Sequence, residues 1–147
     1  MTNTCADAEV DRFPIRVLGF GAVYLPVTDV YASGQWYIRN LGLTLSPNTP
    51  LQPGVPHVIL HYAPQTAGLF LLDCSSSSSS LRRKDGQELL TFCLIVDDIQ
   101  SAYSRLKANG VRLETDAPID RGSCGINLKC YDPDGNKFEV VQSSQPA

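Results

Sequence analysis

The chain has 147 residues, 43% of them hydrophobic and 18% charged, with a formal net charge of −3. That is enough apolar chain for one globular domain with a buried core. The weak acidity argues against a nucleic-acid partner, which wants a basic face. No apolar run approaches the roughly 20 residues of a membrane-spanning helix.

The start of the chain, Met1 to Arg12, is polar and acidic. It lacks the basic stretch followed by an apolar one that marks a secretory signal, so a cytoplasmic location is expected. Residues 1–14 read as a flexible N-terminal segment. The five cysteines, Cys5, Cys74, Cys93, Cys124 and Cys130, are odd in number and show no CxxC spacing. They read as small buried hydrophobes kept reduced, not as a disulfide or zinc framework.

In chain order, the β-rich run Val23–Val27 leads to Asp29, a natural helix N-cap. The helix that follows presents Val30, Ser33, Gly34, Tyr37 and Leu41 on one face and closes at Gly42. Three strand-like runs come next, at 43–45, 56–62 and 68–73, with a loop over 47–53. Ser75 to Ser80 form a run of six serines, expected to be a flexible linker. The pattern then repeats. Leu94-Ile95-Val96-Asp97-Asp98-Ile99 matches Leu25-Pro26-Val27-Thr28-Asp29-Val30 at an offset of 69. Asp98 caps a second helix with Ile99, Ala102, Tyr103 and Leu106 on one face, and Gly110 closes it. Strand-like runs at 111–114, 125–131 and 137–141 complete the second copy. Asp132-Pro133-Asp134-Gly135 is strong turn chemistry before the last of them.

The expected fold is therefore α+β, with two βαβββ modules forming a half-barrel pair in a single domain over 15–142. Module one spans 15–74, the Ser-rich linker 75–80 and module two 88–142, with a tail at 143–147.

Alternation assigns faces. Val23, Leu25 and Val27 should pack under the first helix, and Phe92, Leu94 and Val96 under the second. The opposite faces carry a mixed polar set suited to lining a ligand cleft: Tyr24, His57, His61, Thr91, Cys93, Asn127, Lys129 and Glu139. Trp36 and Tyr37 read as packing residues or edge contacts.

The segments Val23-Tyr24-Leu25-Pro26-Val27-Thr28-Asp29 and Gln35-Trp36-Tyr37-Ile38-Arg39-Asn40-Leu41-Gly42-Leu43, with the ending Tyr131-Asp132-Pro133-Asp134-Gly135-Asn136-Lys137-Phe138-Glu139-Val140, resemble the vicinal oxygen chelate superfamily over roughly 18–142. That superfamily includes glyoxalase I, bleomycin and fosfomycin resistance proteins and extradiol dioxygenases. The resemblance implies a divalent metal held by His, Gln and Glu from the first and last strands of each half, polarising two substrate oxygens. It also implies a homodimer.

The ligand pattern is broken in this chain. Ala22 and Thr91 stand at the first-strand positions, and the last strand of the first half offers only Leu69, Phe70, Leu71 and Leu72. Glu139 alone is retained. A divalent ion needs three or four converging donors. His57 and His61, about 13 Å apart along a strand, do not readily share one ion. Three readings stay open. The first is small-molecule binding without a complete metal site, as in the bleomycin-resistance branch. The second is a divergent metal-dependent lyase, isomerase or dioxygenase using Glu139. The third is a non-catalytic dimerisation or regulatory domain. A bland role for Glu139 is also open, as a solvated carboxylate or one in a salt bridge, with Lys129 as a candidate partner.

Overall fold

Both helices begin where an aspartate caps them. The carboxylate of Asp29 accepts from the Ala32 amide at 3.0 Å, and that of Asp98 from the Gln100 and Ser101 amides, each at 3.1 Å. Free amides of a first turn find acceptors this way. Gly42, at φ +67°, closes the first helix through a bond from its amide to the Ile38 carbonyl. The second ends at Ala108, and Gly110, at φ +74°, turns the chain away.

The structure is a computed structural model that describes residues 15–75 and 82–144. Cys5, the expected N-terminal segment, most of the serine run and the last three residues lie outside them. Module one comprises β1 (Ala22–Val27), α1 (Val30–Leu41), β2 (Thr44–Leu45), β3 (His57–His61) and β4 (Gly68–Asp73). Module two comprises β5 (Leu90–Ile95), α2 (Ile99–Ala108), β6 (Arg112–Leu113), β7 (Ile119–Asp120), a 3-10 turn (Gly122–Cys124), β8 (Ile126–Tyr131) and β9 (Lys137–Gln142). The sheets run β1-β4-β3-β2 and β5-β9-β8-β6, with β1 parallel to β4 and β5 parallel to β9. The two-module α+β architecture expected from the repeat is the one found. The extra strand β7 and the 3-10 turn were not anticipated, and β2 and β6 are each only two residues long.

Strand parity separates the faces as the sequence implies. Leu25, Val27, Val58, Leu60 and Leu71 are fully buried under α1, and Leu128, Cys130, Phe138 and Val140 under α2. Trp36, Leu41 and Phe92 pack against both cores, so the modules share apolar contacts. Trp36 and Tyr37 are thus packing residues.

A polar latch joins the modules. Buried Asp132 accepts the Tyr37 hydroxyl at 2.8 Å, the Asn136 amide at 2.8 Å and the Asn136 side chain at 2.9 Å. Asn136 also donates to the Pro26 carbonyl, and Asp134 accepts from the amide and hydroxyl of Thr28 and from the Ser33 hydroxyl. The turn that ends one module thereby clasps the first strand and helix of the other. Burial pushes the carboxyl of Asp132 up against the lowering effect of these donors, and burial, then the Asp132 charge, raises the Tyr37 hydroxyl well above its ordinary value.

Two cysteine assignments need correction. Cys130 is buried and Cys74 is half-buried, but Cys93 and Cys124 are exposed. Cys93 lies on the strand face away from the helix, and Cys124 in the 3-10 turn that sequence periodicity did not reveal.

Candidate functional site

Equivalent residues of the two modules meet, which locates the axis relating them. Asn109 donates through its side chain to its counterpart Asn40 at 3.1 Å. Val23 and its counterpart Phe92 line one apolar cavity of about 150 Å³. The edge strands β1 and β5 therefore meet at a pseudo-twofold seam. Cys93 lines the same cavity, while Ala22 and Tyr24 on β1 and Thr91 on β5 point, by strand parity, to the side away from the helices.

On the module-one side the face is aromatic. Tyr24, Phe70 and Ile59 are register partners across β1, β4 and β3. The Phe70 ring lies 5.2 Å from that of Tyr24 and 5.2 Å from that of His57, where the planes are nearly parallel. Such spacing is that of favourable ring contacts. Tyr24 remains 65% exposed, so the row is open to solvent. His61 stands apart at the strand end, its Nδ1 bonded to the Thr66 carbonyl at 2.9 Å. Gly68 leaves room for it, since a Cβ there would lie 2.9 Å from the ring.

On the module-two side the face is polar. Glu139 opposes Cys93 on β5 and Lys129 on β8. Its Oε1 accepts from the Asn127 side chain at 2.9 Å. The expectation that Lys129 pairs with Glu139 is incorrect. Lys129 turns to Glu114 at 3.9 Å, where Glu114 already binds Lys137 at 2.6 Å. Glu114, just after β6, is the carboxylate within reach of both ammonium groups. The Thr91 hydroxyl donates to the Lys137 carbonyl at 2.7 Å. Burial first, then the Glu139 charge, raises the Cys93 thiol, so it is held protonated.

The donors do not suit a divalent ion. The repeat offset of 69 places Phe70 opposite Glu139 in the pattern, as it places Ala22 opposite Thr91. Ala22 and Phe70 offer no lone pair, which leaves the neutral Thr91 hydroxyl and Glu139, fewer than the three or four ligands a divalent ion needs. Among the described residues no three His, Cys, Asp or Glu side chains group closely enough to hold a metal. Among them, too, no helix is long and apolar enough to cross a membrane.

Sequence reasoning named Tyr24, His57, Asn127, Lys129 and Glu139 but passed over Phe70, which sits in an aliphatic run that hides its face. The repeat offset was the signal that could have found it. Glu114 and Lys137 were also missed.

The fold recurs among solved structures. It is similar to an antibiotic binding protein from a Streptomyces species (22% identity over 88% of this chain and 99% of that one, TM-score 0.65). It is also similar to a glyoxalase/bleomycin resistance protein/dioxygenase superfamily member from Sphaerobacter thermophilus (22% identity, 88% and 100%, TM-score 0.67). A third is lactoylglutathione lyase from Agrobacterium tumefaciens (19% identity, 87% and 96%, TM-score 0.61). No curated protein matches the sequence. The sequence pattern of the Glyoxalase/Bleomycin resistance protein/Dioxygenase superfamily matches residues 19–140. With the paired βαβββ modules and the seam between them, the chain belongs to that superfamily.

Proposed function

We propose that the protein binds a small molecule with a planar, unsaturated part on the open faces beside the β1–β5 seam, and that it does so without a divalent metal. The observation that carries this reading is the exposed Tyr24–Phe70–His57 row, standing where one half of a metal site would lie. Flat rings offer a planar ligand large contact area with little side-chain entropy to lose. A Streptomyces protein of the same fold is described as antibiotic binding, which supports binding as a use of this architecture. The test is titration of a neutral planar probe such as 2-naphthol, followed by NMR, before and after dialysis against chelator. Tyr24→Ala, at an exposed position, should weaken binding at least fivefold, and chelation should change nothing. Unaltered affinity in Tyr24→Ala, or stoichiometric divalent metal in the purified protein, overturns the reading.

A second reading is catalysis by Glu139, favoured by the Asn127 amide that fixes its carboxylate. It requires turnover of a hemithioacetal or related substrate that is lost in Glu139→Gln.

The proposal extends to a homodimer. Ile15, Val17, Leu18 and Phe20 lie in the segment before β1 and are 80–92% exposed. Contiguous apolar surface of this kind marks an interaction site, and a second copy is the occupant proposed. Light scattering should give twice the chain mass, falling to the monomer in Val17→Asp/Phe20→Asp. A wild-type monomer overturns this extension alone.

A further inference from the structure

The polar half of the open face carries an imbalance of charge that the proposed ligand reading does not use. A groove of about 590 Å³ runs between β8, the β7 turn and the hairpin 82–88. Its charged lining comprises Arg82, Arg121, Lys129 and Lys137 against Glu88 and Glu114. Four cations face two anions there, in a chain whose net charge is −3.

The pairing within the groove leaves positive charge over. Glu114 gives one oxygen to Lys137 at 2.6 Å, and its other lies 3.9 Å from Lys129. Lys137 keeps only 7% of its side chain exposed, so its ammonium is fixed. Lys129 is 24% exposed and held only by the longer contact. Arg121, from the turn before the 3-10 segment, adds its field at Glu114. Among the described residues its guanidinium has no ion-pair partner. Glu88 accepts the Tyr131 hydroxyl at 3.2 Å. Two carboxylates thus face four cations in a concave, partly desolvated place, where like charges repel more strongly than in water. An incoming oxyanion would relieve that repulsion, with Arg121 and the loosely held Lys129 as donors and Lys137 as a fixed one.

We propose that this groove is an oxyanion site, taking the carboxylate or phosphoryl group of a small molecule between Lys129 and Arg121. The site goes beyond the planar-ligand reading and stands on different residues.

The test is an NMR titration of the full chain with inorganic phosphate and, separately, with acetate, each at ionic strength held constant with chloride. Saturable shifts confined to residues around Lys129, Lys137 and Arg121 are expected, and the tighter anion identifies the chemical source. Arg121→Gln and Lys129→Gln should each weaken the preferred anion at least fivefold, with melting temperatures that establish folded protein. Arg121→Gln should leave 2-naphthol binding unchanged, which separates this proposal from the previous one. Shifts that fail to saturate, or that match chloride alone, overturn the site. So does wild-type affinity in either variant.

Discussion

The two modules keep the same scaffold and spend their open faces differently. Both carry an aspartate cap, an apolar helix face, a parallel outer pair and an antiparallel inner pair of strands. Module one shows Tyr24, Phe70 and His57 to solvent, and module two shows Lys129, Glu139 and Asn127. The difference teaches that core parity is constrained by burial on every strand, whereas the opposite face answers only to what it touches. A substitution of Leu71 or Val140 would leave a cavity or an unsatisfied group. Phe70 and Glu139, at equivalent positions, interchange ring and carboxylate without disturbing either core.

The largest test of the comparison concerns what holds the modules in one arrangement. Asp132→Ala removes the acceptor of the Tyr37 hydroxyl and the two bonds that Asn136 makes to this carboxylate, in a place only 5% exposed. Losing such an acceptor should cost about 3 kcal/mol. Urea denaturation is the measurement. If the modules depend on each other, tryptophan fluorescence, from Trp36 in the shared contact, and far-ultraviolet dichroism should still report one transition. Two separated transitions would mean that the modules are independent units joined by the latch, and a loss under 1 kcal/mol would mean that the latch is incidental.

How much of this was legible in the sequence follows from how local each determinant is. The caps at Asp29 and Asp98 depend on three or four successive residues, and both were readable. Strand parity was readable wherever alternation was visible, as in His57–His61. It failed for Phe70, because Leu69, Leu71 and Leu72 around it leave no polar marker of the outer face. The Glu114 partnership failed for another reason. Lys129 could reach either of two carboxylates, and strand pairing decides between them only through β6, too short to announce itself. Cys124 was misjudged because its turn rests on Gly122 and Gly125 at φ +65° and +89°, not on any periodic pattern. The latch was half visible: the Asp132–Gly135 turn was read as a turn, but its grip on Tyr37 spans 95 residues.

A smaller effect sharpens the contrast at the seam itself. Cys93 is exposed yet its thiol is raised, by burial first and by the Glu139 charge second. Glu139→Gln removes the second cause and leaves the Asn127 contact sterically possible. Alkylation of Cys93 by iodoacetamide at neutral pH, followed by peptide mass spectrometry, should accelerate about two- to fivefold, because the thiolate is the reacting form. Cys124, also exposed, serves as the internal reference. An unchanged ratio between the two would place Glu139 too far away, or too well screened, to shape the polar face.

The smallest effect tests whether Glu114 is as strongly claimed as the groove geometry implies. Its carboxyl lies below the ordinary 4.5, chiefly through the hydrogen bond from Lys137, with Lys129 and Arg121 adding to it. A folded value below the unfolded one means that the unfolded chain binds the proton more readily. Stability from this group is therefore present above pH 4.5 and is lost as the pH falls through the depressed folded value. Glu114→Gln should be less stable than wild type at pH 6, and the gap should narrow as acid is added. A gap that stays constant from pH 6 to about pH 3 would assign the loss to packing rather than charge. It would also weaken the claim that three cations share this one carboxylate, on which the contrast between an aromatic and a cationic face depends.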